Sequence, residues 1–146
     1  MKFFSCCLLA VTFLVPSTSR ADEKSELKKL AGNYKTVSVQ RGGENAPARI
    51  LESKLVVKGN VFTIVRVSNG NERKSPINVK LDDSKSPKHI TLLRNDKPAY
   101  EGIYKYEKGK LTLCYNRVGK GRPKEFVSPE KTTTMLMVFQ RITDKK

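Results

Sequence analysis

The 146-residue sequence predicts an all-β protein, an antiparallel up-and-down barrel of about eight strands that follows a short N-terminal helix. Segments rich in Val, Ile, Thr, Tyr and Leu alternate with short turns containing Gly, Asn or Asp, which is typical of antiparallel hairpins. No helical pattern of about 10 residues separates the strands, so parallel βαβ units are not expected. Closure into a barrel removes the exposed edges that an open meander would leave.

Residues 1–21 have the pattern of a secretory signal peptide. A positive charge at Lys2 precedes an apolar stretch at residues 3–15, and the small residues Ser19 and Ala21 mark a cleavage site. An uncleaved anchor is disfavoured because a membrane-spanning helix needs about 20 apolar residues. We therefore expect cleavage near Ala21, export to the periplasm, the cell envelope or the medium, and no transmembrane segment in the mature chain.

The expected mature domain, residues 22–146, is strongly basic and has no disulfide. The chain carries a net charge of +15, and residues 1–21 contribute Lys2 and Arg20 with no acidic residue, which leaves +13 after cleavage. Two of the three cysteines lie in the predicted signal, so Cys114 remains alone. The fold must therefore depend on its hydrophobic core, and a domain of this length can bury one.

The helix is expected over residues 21–30, where acidic side chains come first and lysines later, and Gly32 ends it. Eight strands follow, at residues 33–40, 54–58, 61–67, 77–82, 89–94, 100–106, 110–116 and 132–142. Residues 61–67 are apolar on both faces, so the inward face of that strand stays open. Glycines and prolines in residues 41–49 and 117–131 indicate two longer loops.

The most informative segment is the hairpin expected within residues 100–116. A two-residue turn at Lys108 and Gly109 would place Glu107 opposite Lys110 and fix the register of every pair beyond it. By strand alternation, one face then carries four of the five tyrosines. This tyrosine face consists of Tyr100, Gly102, Tyr104, Tyr106, Leu111, Leu113 and Tyr115.

Two interpretations of the tyrosine face remain open. It is either core, with hydroxyls that reach water or backbone at the barrel mouth, or the lining of a ligand cavity in which Gly102 leaves room for a bound group. The pocket candidates are Tyr100, Gly102, Tyr104, Tyr106, Leu113 and Tyr115.

The loop at residues 117–131 is basic, and Glu125 is its nearby acidic residue. Its anion-binding candidates are Arg117, Lys120, Arg122 and Lys124. Such a loop suits a phosphate, a sulfate or an acidic polysaccharide, and the alternative is a solvated face that keeps the protein in solution.

The sequence lacks the residue patterns of common catalytic sites. Cys114 has no histidine or other base near it in sequence and is expected to be a small packing residue. A single histidine and scattered cysteines exclude the usual zinc clusters, and no Gly-rich phosphate loop is present. We expect no enzymatic activity, no cofactor and no metal.

The sequence also contains a set of short motifs in a definite order. They are Leu30-Ala31-Gly32-Asn33-Tyr34, Pro87-Lys88-His89-Ile90, Gly102-Ile103-Tyr104, Leu111-Thr112-Leu113-Cys114 and Gly121-Arg122-Pro123, before a last strand closed by Arg141. In this order they resemble a planctomycete family of exported domains of unknown function. The resemblance implies a lipocalin-like β fold without an established activity. It also implies that Tyr34 and Arg141 form a structural closure pair, a cation–π contact between the first and last strands, and that Arg122 braces the long loop.

These features predict an exported, monomeric, non-enzymatic binding module for a small, partly apolar ligand. The alternative is a basic adaptor that binds an acidic polysaccharide or another polyanion at the cell envelope. Nucleic acid is not the expected partner, because an exported protein does not regularly meet it.

Overall fold

The computed structural model describes residues 19–143 and shows a closed antiparallel β-barrel of eight strands. The predicted fold class is therefore confirmed. Most of the predicted signal peptide, residues 1–18, lies outside the described residues.

Nine strands and two helices make up the described chain. In order they are α1 (Ser19–Leu30), β1 (Gly32–Arg41), β2 (Glu44–Asn45), α2 (Ala48–Leu51), β3 (Lys54–Lys58), β4 (Val61–Ser68), β5 (Asn71–Asp82), β6 (Lys88–Arg94), β7 (Lys97–Glu107), β8 (Lys110–Arg117) and β9 (Met135–Arg141). From β3 to β9 each strand pairs with the next, and β1 pairs with both β3 and β9, which closes the barrel. β2 is a two-residue extension paired with the end of β1 and is not part of the wall.

Most predicted boundaries agree with the structure to within two residues, and the larger differences are at β5, at the last strand, at residues 41–49 and at β7, which begins at Lys97 rather than residue 100. β5 begins at Asn71 rather than residue 77, because the β4–β5 hairpin continues as an exposed arm without apolar alternation. The last strand begins at Met135 rather than residue 132, since the Thr132 hydroxyl donates to the carbonyl of Pro129 at 2.7 Å and belongs to the loop. The loop predicted at residues 41–49 holds β2 and the start of the one-turn helix α2.

The β7–β8 hairpin has the predicted register, with Glu107 opposite Lys110 at the turn. The tyrosine face points inward: its members lie in the hydrophobic core or pack against it, apart from Gly102, which has no side chain. The open question about β4 is also answered, because Phe62 lies in the core and Ile64 packs against it. The inner wall is thus continuous around the barrel.

Helix α1 lies across one end of the barrel, which we call the closed end. Leu30 is fully buried in the core, Leu27 packs against it, and a carboxylate oxygen of Glu23 accepts the backbone N–H of Leu81 at 3.0 Å. β1 leaves the closed end at Gly32, and β4, β6 and β8 run parallel to it in space, away from α1. The far ends of these four strands surround the opposite end, which we call the mouth.

The long loop between β8 and β9 covers part of the outer wall. The thiol of Cys114 donates to the carbonyl of Val127 at 3.4 Å, and the Lys105 ammonium lies 4.9 Å from the centre of the Phe126 ring. Ile103 and Cys114 are therefore fully buried although they point away from the barrel axis. Burial raises the pKa of the Cys114 thiol, which makes it an inert packing group in this structure.

Candidate ligand cavity

The barrel contains a cavity of about 900 Å³ that reaches the mouth. Its lining combines inward side chains of the barrel strands with residues of β2, of α2 and of the adjoining loops, and apolar residues form the majority of it. Representative wall residues are Val39, Leu55, Phe62, Ile64, Ile77 and Met137. This volume lies within the range of about 300–1,000 Å³ that is typical of small-molecule sites.

Three of the six pocket candidates, Tyr100, Leu113 and Tyr115, line the cavity. The two tyrosine rings meet edge to face, with centroids 5.5 Å apart and an interplanar angle of 72°. The Tyr115 hydroxyl donates to the sulfur of Met137 at 3.5 Å. Burial raises the pKa of Tyr115 to about 12, so this hydroxyl keeps its proton at neutral pH and remains a hydrogen-bond donor.

Tyr104 and Tyr106, also pocket candidates, do not line this cavity. Both lie toward the closed end, since β7 runs from the mouth at Lys97 down to Glu107. The Tyr104 hydroxyl donates to a carboxylate oxygen of Glu26 at 3.1 Å, and Tyr106 packs against Arg141. They form the floor below the cavity.

Gly102 has a different role from the one expected for it. A Cβ atom at this position would overlap the carbonyl oxygen of Cys114 and the Cβ of Tyr115 on the paired strand. The absent side chain makes room for the close approach of β8, so the expectation that Gly102 leaves space for a ligand is wrong.

The floor of the cavity is held by a buried carboxylate. Glu26 accepts hydrogen bonds from the ammonium groups of Lys29 at 2.6 Å and Lys88 at 2.9 Å as well as from Tyr104. Burial raises the pKa of the Glu26 carboxyl, but the hydrogen bonds from Lys29 and Lys88 outweigh this effect and leave that pKa below its usual range. Glu26 therefore stays ionised and joins α1 to β6 and β7.

The expected closure pair, Tyr34 and Arg141, is in contact. The two residues are opposite each other in the β1–β9 pairing, and the guanidinium lies 5.4 Å from the centre of the Tyr34 ring and 5.2 Å from that of Tyr106. Nη2 of Arg141 also donates to the carbonyls of Lys29 at 2.6 Å and Ala31 at 3.0 Å, and to the Tyr34 hydroxyl at 2.9 Å. One side chain thus joins the end of α1 to the first and last strands.

Four arginines lie at the mouth, and the residue patterns pointed to only one of them as a candidate site residue. The cavity lining includes four arginines, which we call the mouth arginines: Arg41, Arg66, Arg94 and Arg117. Arg117 is that residue, since it is one of the anion-binding candidates of the loop. One feature of the sequence could have indicated them: Arg41, Arg94 and Arg117 are each the last residue of a strand that ends at the mouth.

Arg122 differs from the other anion-binding candidates. Its guanidinium donates to the carbonyls of Ile90 at 2.8 Å and of Gly102, and to the Thr91 hydroxyl at 3.3 Å. These bonds fix the loop against β6 and β7. Lys120 and Lys124 are exposed, and within the described chain no carboxylate lies within 4.0 Å of either ammonium.

The chain matches no protein-family model, no curated protein and no solved structure. Over residues 19–143, no helix is both long and apolar enough to cross a bilayer. Fold and cavity therefore define the class of this protein: a closed antiparallel β-barrel with one covered end and an apolar interior that opens at the other.

Proposed function

We propose that the protein is an exported, non-enzymatic, monomeric binding module that takes a small, partly apolar ligand into its barrel. The observation that supports this most directly is the 900 Å³ cavity, whose wall is mainly aliphatic and aromatic and whose polar groups are concentrated at one end. Burial of apolar ligand surface contributes roughly 25 cal/mol per Å² and drives such binding. Tyr115 supplies a polar group within the apolar wall.

A neutral fluorescent probe, N-phenyl-1-naphthylamine, tests the cavity. Ile77→Trp would fill part of the space, so we expect the probe to bind this variant at least about tenfold more weakly than the unchanged protein. Val37→Trp is the matched control, because Val37 is exposed on the outside of β1. Equal binding to all three proteins, or no binding to any, would reject the proposed site.

Export is tested separately from binding. Protein recovered from outside the cytoplasm of its own host should have an intact mass that corresponds to a chain beginning at Asp22. Retention of residues 1–21 in that protein would contradict cleavage near Ala21.

The second candidate function is a polyanion adaptor, and it is favoured by the exposed ammonium groups of Lys120 and Lys124, which form no ion pair with a carboxylate of the described residues. We expect charge reversal of both lysines to glutamate to lower the salt concentration that elutes the protein from heparin. Charge reversal of Lys35 and Lys54, which are exposed and paired with each other on the β1–β3 wall, changes the net charge equally and is the control. Equal shifts in the two double variants would exclude a specific role for the loop.

A further inference from the structure

The strongest chemical signal outside the apolar wall is the distribution of arginine around the mouth. The sequence contains 9 arginines and 20 lysines, and the cavity lining contains four of the arginines and none of the lysines. In a chain so rich in lysine, a basic rim that served solubility alone would be expected to include lysines. The presence of arginine alone indicates that the planar guanidinium, which can donate two parallel hydrogen bonds to one anion, matters at this position.

The mouth arginines come from alternate strands around the opening. They come from β1, β4, β6 and β8, the four strands that run toward the mouth, and these strands alternate with β3, β5, β7 and β9 around the wall. Every strand that reaches the mouth in this direction therefore contributes one arginine. The four cationic groups surround the opening to an apolar space.

The charge of the mouth arginines is not neutralised by the described protein. Glu44 is the one acidic residue in the lining, and within residues 22–143 no carboxylate lies within 4.0 Å of any of the four guanidinium groups. Like charges at the edge of a low-dielectric cavity repel one another and concentrate a positive potential there. An anion at the mouth would remove this repulsion.

We infer that the ligand is a single-chain amphiphile whose anionic head, a carboxylate or a phosphate, is held by Arg41, Arg66, Arg94 and Arg117 while its hydrocarbon chain occupies the apolar cavity. This inference rests on the proposed binding function and specifies the ligand class. Arginine forks pair with both carboxylate and phosphate oxygens, and charge-assisted hydrogen bonds of this kind are among the strongest in proteins. The Tyr115 hydroxyl lines the same cavity and would donate to the head in place of the Met137 sulfur.

The test uses ligands that share one hydrocarbon chain and differ in the head. Dodecanoate, dodecyl phosphate, dodecanol and dodecylamine are titrated into the unchanged protein by displacement of N-phenyl-1-naphthylamine. We expect the two anions to bind about 10- to 100-fold more tightly than dodecanol, and dodecylamine to bind most weakly. Whichever anion binds more tightly distinguishes a fatty-acid-like ligand from a phospholipid-like one.

Variants of the mouth arginines then show where the anionic head of the ligand binds. Arg94→Gln combined with Arg117→Gln should weaken dodecanoate binding about 10- to 100-fold and leave dodecanol binding unchanged. The matched control combines Arg49→Gln with Arg73→Gln, which removes the same charge from exposed residues outside the cavity lining. The pair Arg94→Lys and Arg117→Lys keeps the charge and should still lose part of the affinity, because the forked geometry is gone.

The outcomes separate this inference from the proposed function. If dodecanol or dodecylamine binds as tightly as dodecanoate, or the two glutamine pairs weaken dodecanoate equally, the anionic-head inference is wrong while the cavity remains a binding site. If the probe itself does not bind, the proposed function fails as well.

Discussion

Glu26 is one of the polar side chains that hold helix α1 against the barrel. α1 offers few apolar residues to the core, and its attachment depends on polar contacts made by Glu23, Glu26 and the carbonyls at its end. Glu26 is buried, and an unpaired charge there would be costly. Its charge is tolerated because Lys29, Lys88 and Tyr104 donate hydrogen bonds to the carboxylate.

The pKa of Glu26 leads to a pH-dependent prediction. A carboxyl whose pKa is lower in the folded state contributes stability above its unfolded pKa of about 4.3, and this contribution is lost as the pH falls through the lower, folded value. Glu26→Gln should therefore be less stable than the unchanged protein at neutral pH, and the difference should shrink below about pH 4. Urea unfolding of both proteins at several pH values measures it.

The control for this prediction is Glu72→Gln. Glu72 forms an exposed ion pair with Lys74 at 3.5 Å, and pairs of this kind contribute little. Its stability difference from the unchanged protein should stay near zero across the same pH range. A Glu26→Gln difference that does not change with pH would contradict the assigned role of the carboxylate.

At the scale of elements, the β8–β9 loop is held in place chiefly by Arg122, by Ser128 and by the contacts of Phe126 and Val127 with the outer wall. Ser128 donates to the carbonyl of Thr134 at 2.8 Å and accepts the N–H of Gly43, which ties the loop to the mouth. Arg122 ties its other half to β6 and β7. The loop is therefore structured without secondary structure of its own.

Loss of Arg122 should release this half of the loop. We expect Arg122→Ala to be cleaved by a lysine-specific endoproteinase after Lys120 and Lys124 at least about tenfold faster than the unchanged protein, since local opening controls such cleavage. Arg94→Ala, which removes an exposed arginine at the mouth, is the control. Equal cleavage rates in the two variants would show that Arg122 does not hold the loop.

The sequence predicts the β7–β8 hairpin in detail, but it does not predict which residues line the cavity. The Lys108–Gly109 turn fixes the β7–β8 register and the inward direction of the tyrosine face, because alternation and turn length are local properties. Local patterns do not give the height of a residue along the barrel axis. Tyr100 and Tyr115 therefore face the cavity while Tyr104 and Tyr106, on the same face, form the floor, and the sequence alone did not separate them.

The mouth arginines were missed for a related reason. Arg41, Arg66 and Arg94 are far apart in the chain, and only barrel closure places them around one opening. By contrast, the contact between Tyr34 and Arg141 was expected only because the family resemblance implied it, and the residue patterns alone did not predict it. Long-range pairing is thus the information that the residue patterns did not contain.

At the scale of the whole molecule, closure between β1 and β9 is reinforced by Arg141. Its guanidinium contacts α1, β1 and the tyrosine of β7 at once, so its loss leaves several carbonyl and hydroxyl partners unsatisfied. We expect Arg141→Ala to lower the free energy of unfolding by about 2–4 kcal/mol. Urea denaturation measures this change.

The exposed Arg94→Ala variant is again the comparison, and its stability should change by no more than about 0.5 kcal/mol. A similarly small effect for Arg141→Ala would show that the backbone ladder between β1 and β9 closes the barrel without help from this side chain.

The covered end has a kinetic consequence. Because α1 and the floor tyrosines block one end of the barrel, a molecule inside must leave through the same opening by which its successor arrives. For a ligand bound as proposed, exchange would be sequential, and a waiting molecule would not hasten the departure of the occupant. Replacement of one occupant by another would proceed with a single time constant set by the residence time of the first, however concentrated the second becomes.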